Sequence, residues 1–311
     1  MSTRAARIAP LTVVPLPAYG AEDVLVDTDG SVLTGTEDGT VWRVRDAGAR
    51  IERVGHSGGR PLGLEWLPDR RLLVCDARRG LLAMDVADGR VEVLTDLVHG
   101  RRMAFCNNAS VAEDGTIWFS DSSRYHGLDR WRADIVENTA SGRLLRRDPD
   151  GSVAVVLDGL RFANGVALAA DASYVVVAEL ARRALVRHWL SGDRSGTSEV
   201  LVDDLPGYPD NLSLGTDGLI WVSVASPTDP VVERLMRAPM VVRRLAWRLP
   251  AALQPQPGRT VRVLALNGAG AVVHDRSPAA DRFHFVTGVR EHAGRVWVGS
   301  LHEPAIAYFE V

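Results

Sequence analysis

Residues Asn107-Asn108-Ala109-Ser110-Val111-Ala112-Glu113-Asp114-Gly115-Thr116-Ile117-Trp118-Phe119 decide the fold. Asp114-Gly115 is a tight polar turn, in which glycine takes the positive φ that such a hairpin requires. The run after it, Thr116-Ile117-Trp118-Phe119, has the β-branched and aromatic character of a strand. The same unit recurs. Residues 31–34 follow Asp29-Gly30 and residues 219–222 follow Asp217-Gly218, while residues 72–75, 174–177 and 295–298 follow the less ideal turns Pro68-Asp69, Asp171-Ala172 and Ala293-Gly294. Further strand patterns come after each run, as in residues 40–44 and 142–146. Successive units lie roughly 40 to 60 residues apart, with one longer gap, which is the period of four-stranded propeller blades.

Six units predict an all-β, six-bladed β-propeller filling residues 1–311 as one domain. A β-sandwich also has regular short strands, but six matched units favour the propeller. Pairing of residues 11–14 with residues 305–311 is expected to close the ring and hide an open sheet edge. One stretch departs from the pattern. Residues 229–258 read as helical, with Leu235, Met236, Val242, Leu245, Ala246, Trp247 and Leu249 interleaved with Arg234, Arg237, Arg243, Arg244 and Arg248, and with Pro239 and Pro250 as punctuation. A lid over the ring is the expectation; a basic amphipathic stretch also suits a membrane surface.

Composition narrows the function. A net charge of −3 in 311 residues leaves no basic footprint for nucleic acid. All 36 basic residues are arginine, so Schiff-base and lysine-base chemistry are excluded. Cys75 and Cys106, the two cysteines, make no disulfide framework and read as small buried thiols. Pro10, Pro15 and Pro17 break the start of the chain, which lacks the apolar run of a signal peptide. No apolar run approaches the ~20 residues of a bilayer span. A cytoplasmic protein acting on a small molecule is expected.

The register of the units points to a site. Counting back seven residues from the turn position gives Glu22, Asn107, Asn164 and Asp210 in four units, and Leu62 and Val286 in the other two. Equivalent positions near the start of the innermost strands converge on the central channel. Of the six asparagines in the chain, Asn107, Asn108, Asn164 and Asn211 lie at or beside these positions. Two carboxylates and two amides form an all-oxygen set suited to a hard cation, calcium above all, with Asn211 and Asn108 or water completing the shell. No histidine or thiolate cluster suggests zinc. The alternative is a set of channel-lining groups that satisfy each other and buried water.

At these residues the chain resembles the senescence marker protein/gluconolactonase/luciferin-regenerating superfamily, and more closely its strictosidine synthase-like branch. The resemblance rests on Phe105-Cys106-Asn107-Asn108, Asp121-Ser122-Ser123, Leu160-Arg161-Phe162-Ala163-Asn164-Gly165-Val166, Pro206-Gly207-Tyr208-Pro209-Asp210-Asn211 and Glu291-His292-Ala293-Gly294-Arg295-Val296-Trp297. It implies a six-bladed propeller with Glu22, Asn107, Asn164 and Asp210 as ligands of a divalent metal. It also implies calcium-dependent hydrolysis of a lactone or ester, with Asp210 as base or nucleophile. Asn108 departs from the aspartate common in relatives, which lowers the charge around the metal by one. True strictosidine synthases condense an amine with an aldehyde without the metal, and a glutamate near Glu291 is their acid/base candidate.

Asn107, Tyr125 and His126, with Trp131 nearby, are candidates for substrate contact, the last three in a long loop after a third-unit strand. Gly55-His56-Ser57-Gly58-Gly59 matches the G-x-S-x-G pattern, but Pro61 and a strand follow where a nucleophile elbow needs a helix. A metal-stabilised binding propeller without chemistry, and a synthase-like condensing enzyme, are the alternatives to a hydrolase.

Overall fold

The computed structural model describes residues 10–247, 249, 254–279 and 281–311. Residues 1–9, with the first arginines of the chain, and Arg248 and Pro250 of the insertion lie outside the described residues. Among the described residues six four-stranded antiparallel sheets form a ring, each built from strands consecutive in sequence except the last. Their innermost strands are Val24–Val26, Pro61–Trp66, Cys106–Val111, Ala163–Leu168, Gly207–Leu214 and Val286–His292. The six runs read from the sequence form the second strand of each blade.

The sixth blade joins the two ends of the chain. Thr12–Pro15 pairs antiparallel with Ala305–Glu310, Thr12 opposite Tyr308 and Pro15 opposite Ala305. The closure expected from the sequence is the one observed, and it removes the edge that would otherwise invite aggregation. Between blades, fully buried side chains such as Phe119, Trp221 and Phe309 fill the core. Cys75 and Cys106 are free, buried thiols in one cluster, and burial with a bond from Cys75 raises the Cys106 thiol.

The helical expectation for residues 229–258 holds in two short pieces, α2 (Pro230–Met236) and α3 (Met240–Trp247), which pack against α1 (Trp131–Glu137). Asp229 caps α2, accepting from the N–H groups of Val231 at 2.7 Å and Val232 at 3.3 Å, with Pro230 pre-set for the first turn. Arg243 Nη1 donates to Glu137 O at 2.9 Å and ties α3 to α1. No helix among the described residues is long and apolar enough to cross a membrane.

In five inner strands the ladder to the second strand skips a register, between Pro61 and Leu64, Cys106 and Ala109, Ala163 and Val166, Pro209 and Leu212, and Val286 and Val289. Each irregularity frees two residues. The second of the pair is glycine in blades two, four and six (Gly63, Gly165, Gly288) and Asn108 or Asn211 in blades three and five; Asp23 is the counterpart in blade one. The alternation is steric. A Cβ on Gly63 would lie 2.7 Å from Asn108 Cα, on Gly165 2.1 Å from Leu212 N, and on Gly288 2.7 Å from Asp23 Cα. Asp23 then reaches blade two, accepting from Leu64 N at 3.0 Å, and Asn108 Oδ1 reaches blade four, accepting from Val166 N at 2.9 Å.

Asn108→Ala is expected to cost about 1–3 kcal/mol, because it leaves the Val166 N–H buried without an acceptor. Denaturant unfolding checks this, and an unchanged midpoint with unchanged slope would remove Asn108 from the account of how the blades are held together.

Candidate functional site

Five residues occupy the first position of these irregularities, Leu62, Asn107, Asn164, Asp210 and Thr287, and Glu22 is their counterpart in blade one. Each stands two residues before the point where the ladder resumes, and all six line one cavity of about 310 Å³. The sequence count holds for five of them and fails in the sixth blade, where Thr287, not Val286, takes the position. There His292 pairs with Arg295, three residues on, whereas the other blades pair residues six or seven apart across the turn. A tighter turn shifts any count made from it.

Hydroxyls orient the ring. Asn107 Nδ2 donates to Ser122 Oγ at 2.9 Å, and that hydroxyl donates to Ala163 O at 2.7 Å. Thr287 Oγ1 donates to Glu22 O at 2.7 Å. Asn211 lies one residue below the ring, outside the cavity lining, and its Nδ2 donates to both Glu22 carboxylate oxygens at 3.3 Å. The oxygens Asn107 Oδ1, Asn164 Oδ1 and Asn211 Oδ1 are buried with no hydrogen-bond partner. Such orphaned acceptors are uncommon in a folded interior.

The two carboxylates carry a matching signal. Burial pushes Asp210 up to about 8, against a hydrogen bond from Asn164 that lowers it and with Asp23 adding to the rise. Glu22 is raised well above the carboxylate range by burial, then by Asp210 and Asp23, with Arg60 and Asn211 opposing. The site is rich in oxygen acceptors and poor in positive charge, so a hard divalent cation fits the residues present. Among the described residues no cluster of three or more His, Cys, Asp or Glu could hold a metal, since this ring has two carboxylates and draws its other oxygens from amides. Asn108 does not complete a shell: its Oδ1 is engaged by Val166 N, where a neutral carbonyl serves as well as a carboxylate.

Above this polar floor the cavity is mostly apolar, with Arg132, Ser226, Asp229, Gln254 and Gln256 as its polar lining. Leu62, Phe105, Phe162, Leu180, Tyr208 and Phe285 come from the ring and Leu128, Trp131, Ile135 and Val136 from the loop and α1, with Val231, Val232, Leu235, Ala246 and Trp247 from α2 and α3. The insertion therefore covers the cavity. Tyr208 Oη donates to Glu233 Oε1 at 3.1 Å and ties α2 to the ring. On the outer side Val241 and Leu245 are exposed.

Two expected substrate contacts are not in the cavity. Tyr125 is 70% exposed, and His126 is turned to Glu137, its Nε2 3.4 Å from Oε2. The segment that follows them does reach the cavity, through Leu128 and through Trp131 and Arg132 at the start of α1. Ser57 is buried in a turn that leads into the strand Pro61–Trp66, not into the helix that a nucleophile elbow needs. Glu291 is neither solvated nor in the cavity. It is buried at the far end of its strand and accepts from Thr216 N at 2.6 Å, Thr216 Oγ1 at 2.9 Å and Gly294 N at 2.8 Å, a clamp between blades five and six.

Comparison with known proteins follows the same lines. The strictosidine synthase family model matches residues 107–193, and the model of the N-terminal part of strictosidine synthase-like proteins matches residues 6–44. The adipocyte plasma membrane-associated protein of Gallus gallus is 30% identical, over 91% of this chain and 73% of that protein. Strictosidine synthase-like 6 of Arabidopsis thaliana is 31% identical, over 89% of this chain and 76% of that protein. Among solved structures, a gluconolactonase from Xanthomonas campestris superposes with a TM-score of 0.71 at 18% identity, covering 98% of this chain and 91% of that one. At that identity the likeness is one of fold.

Proposed function

The chain belongs to the strictosidine synthase-like family, and from that premise we propose that it is a calcium-dependent hydrolase of an ester or lactone. The observation that carries this reading is the floor of the cavity, where two buried carboxylates and the unpartnered oxygens of Asn107 and Asn164 converge beneath an apolar chamber. Glu22, Asn107, Asn164 and Asp210 would hold the ion, and Asn211 would steady it by holding Glu22. A calcium ion bound there supplies Lewis-acid polarisation of the substrate carbonyl.

The side chains do the rest. Asp210, oriented by the Asn164 amide, takes the proton of an attacking water or attacks the carbonyl carbon itself. Asn107 is locked through Ser122 to the neighbouring blade, which keeps its oxygen aimed at the chamber. Phe105, Phe162 and Trp131, with the lid helices, exclude bulk water from the reacting bond. Glu291, spent on Thr216 and Gly294, offers no acid or base to a condensing reaction in this cavity.

The test is hydrolysis of a panel of aryl esters and lactones by the purified protein, before and after chelation and with calcium restored. Activity is expected to vanish with chelator and return with calcium. Turnover untouched by exhaustive chelation would end the calcium reading, and a panel with no turnover by calcium-loaded protein would favour a binding propeller.

A further inference from the structure

Arg132 sits on α1 and lines the cavity, half-buried. Its guanidinium has no hydrogen bond or ion pair among the described residues; it stands by the Trp131 ring, 5.1 Å from ring centroid to Cζ, and near enough to His302 to help burial hold that imidazole neutral. Burial alone depresses its pKa, with no carboxylate pushing back. The acids of the same segment are engaged elsewhere. Asp129 pairs with Arg78 at 2.8 Å, Asp134 accepts from Thr139 Oγ1 at 2.7 Å and from Ser123, and Glu137 faces His126. Of the three carboxylates that share the cavity, Glu22 and Asp210 belong to its floor, and Asp229 is engaged by the Val231 and Val232 N–H groups at the start of α2. An arginine side chain in apolar surroundings ordinarily finds an acid partner, because leaving the charge unpaired is costly.

We propose that Arg132 is the specificity residue of this cavity, and that it selects substrates whose apolar body carries an anionic group, a carboxylate above all. The apolar body lies among Phe105, Phe162, Trp131 and Trp247, the anion pairs with Arg132, and the ester end reaches the floor. A planar guanidinium matches a carboxylate with two parallel donors, and the low local dielectric strengthens the pair. The inference rests on the cavity being the substrate site proposed above, but its test does not need turnover.

Calorimetric binding of decanoate and of decanol to calcium-loaded and to chelated protein, wild type and R132Q, decides it. Wild type is expected to bind decanoate at least about tenfold more tightly than decanol, and R132Q to erase that preference while decanol binding stays within about twofold. R132K should keep part of the preference, since it keeps the charge and loses the fork. Equal binding of the two ligands by wild type overturns the proposal, as does a preference that survives in R132Q, which would place the carboxylate on the cation at the floor. An equal loss for both ligands in R132Q also overturns it, because the residue would then merely hold α1. If no ester is hydrolysed but decanoate binding follows Arg132, the hydrolase reading fails and the ligand class stands.

Discussion

Asp210→Asn is expected to abolish ester hydrolysis, by at least about 10³-fold in kcat, while the propeller stays folded. The substitution preserves shape and removes one of the two negative charges at the cavity floor. It takes away the proposed base or nucleophile and weakens cation binding at the same time. A stability readout separates these losses from misfolding. In wild type Asp210 titrates near 8 because burial disfavours its charge, so above pH 8 the metal-free protein carries that charge at a cost. Asn carries none. Metal-free D210N is therefore expected to be at least as stable as metal-free wild type at pH 8.5, by as much as a few kcal/mol. Thermal unfolding with and without calcium, beside the kinetic assay, checks both halves. Undiminished turnover in D210N would remove Asp210 from the chemistry. A collapsed metal-free variant would show that the carboxylate is needed for folding.

Calcium should stabilise the wild type, and the stabilisation should grow with pH. The sign follows from proton counts. Unfolded carboxylates ionise near their ordinary values of about 4, whereas Asp23 waits until about 6 and Asp210 until about 8, with Glu22 also raised. Between those limits the folded metal-free protein holds more protons than the unfolded chain, so its stability falls as pH rises from about 4 to about 8. A cation at the floor offsets the charge that causes the fall, and below about pH 8 it must displace protons to bind. At a calcium concentration near one hundred times Kd the gain is about 2.7 kcal/mol. For a chain of this size that is a rise in Tm on the order of 5 °C, small at pH 5 and largest above pH 8. Calorimetric scans at several pH values with calcium or chelator measure it. An equal shift at pH 5 and pH 8.5, or none at either, would show that these carboxylates do not hold the ion.

Much of this site was legible in the chain because propeller repeats are regular. A fixed distance from turn to inner strand places Glu22, Asn107, Asn164 and Asp210 at one structural register, and the blades turn that register into a ring. The count broke at Thr287, where a tighter hairpin slipped it by one residue. The alternation of Asp23, Gly63, Asn108, Gly165, Asn211 and Gly288 was equally visible as text. Its meaning needed the observation that a Cβ at each glycine would strike the neighbouring blade. Asn108 shows the consequence: adjacent to the ring in sequence, it is engaged between blades three and four in space.

Local patterning was enough for the strands, the turns, the closure of the ring by residues 12–15 and the helical character of residues 230–247, because each follows from contacts between near neighbours and a repeat. The chamber above the floor was decided by tertiary structure alone. It brings α1 from the third blade against α2 and α3 from the fifth, setting Trp131, Arg132 and Trp247 in the lining of one cavity and leaving Tyr125 and His126 out of it. No local rule specifies which faces of separate insertions meet. That depends on how much apolar surface each can bury against the other, and burial is a property of the folded whole.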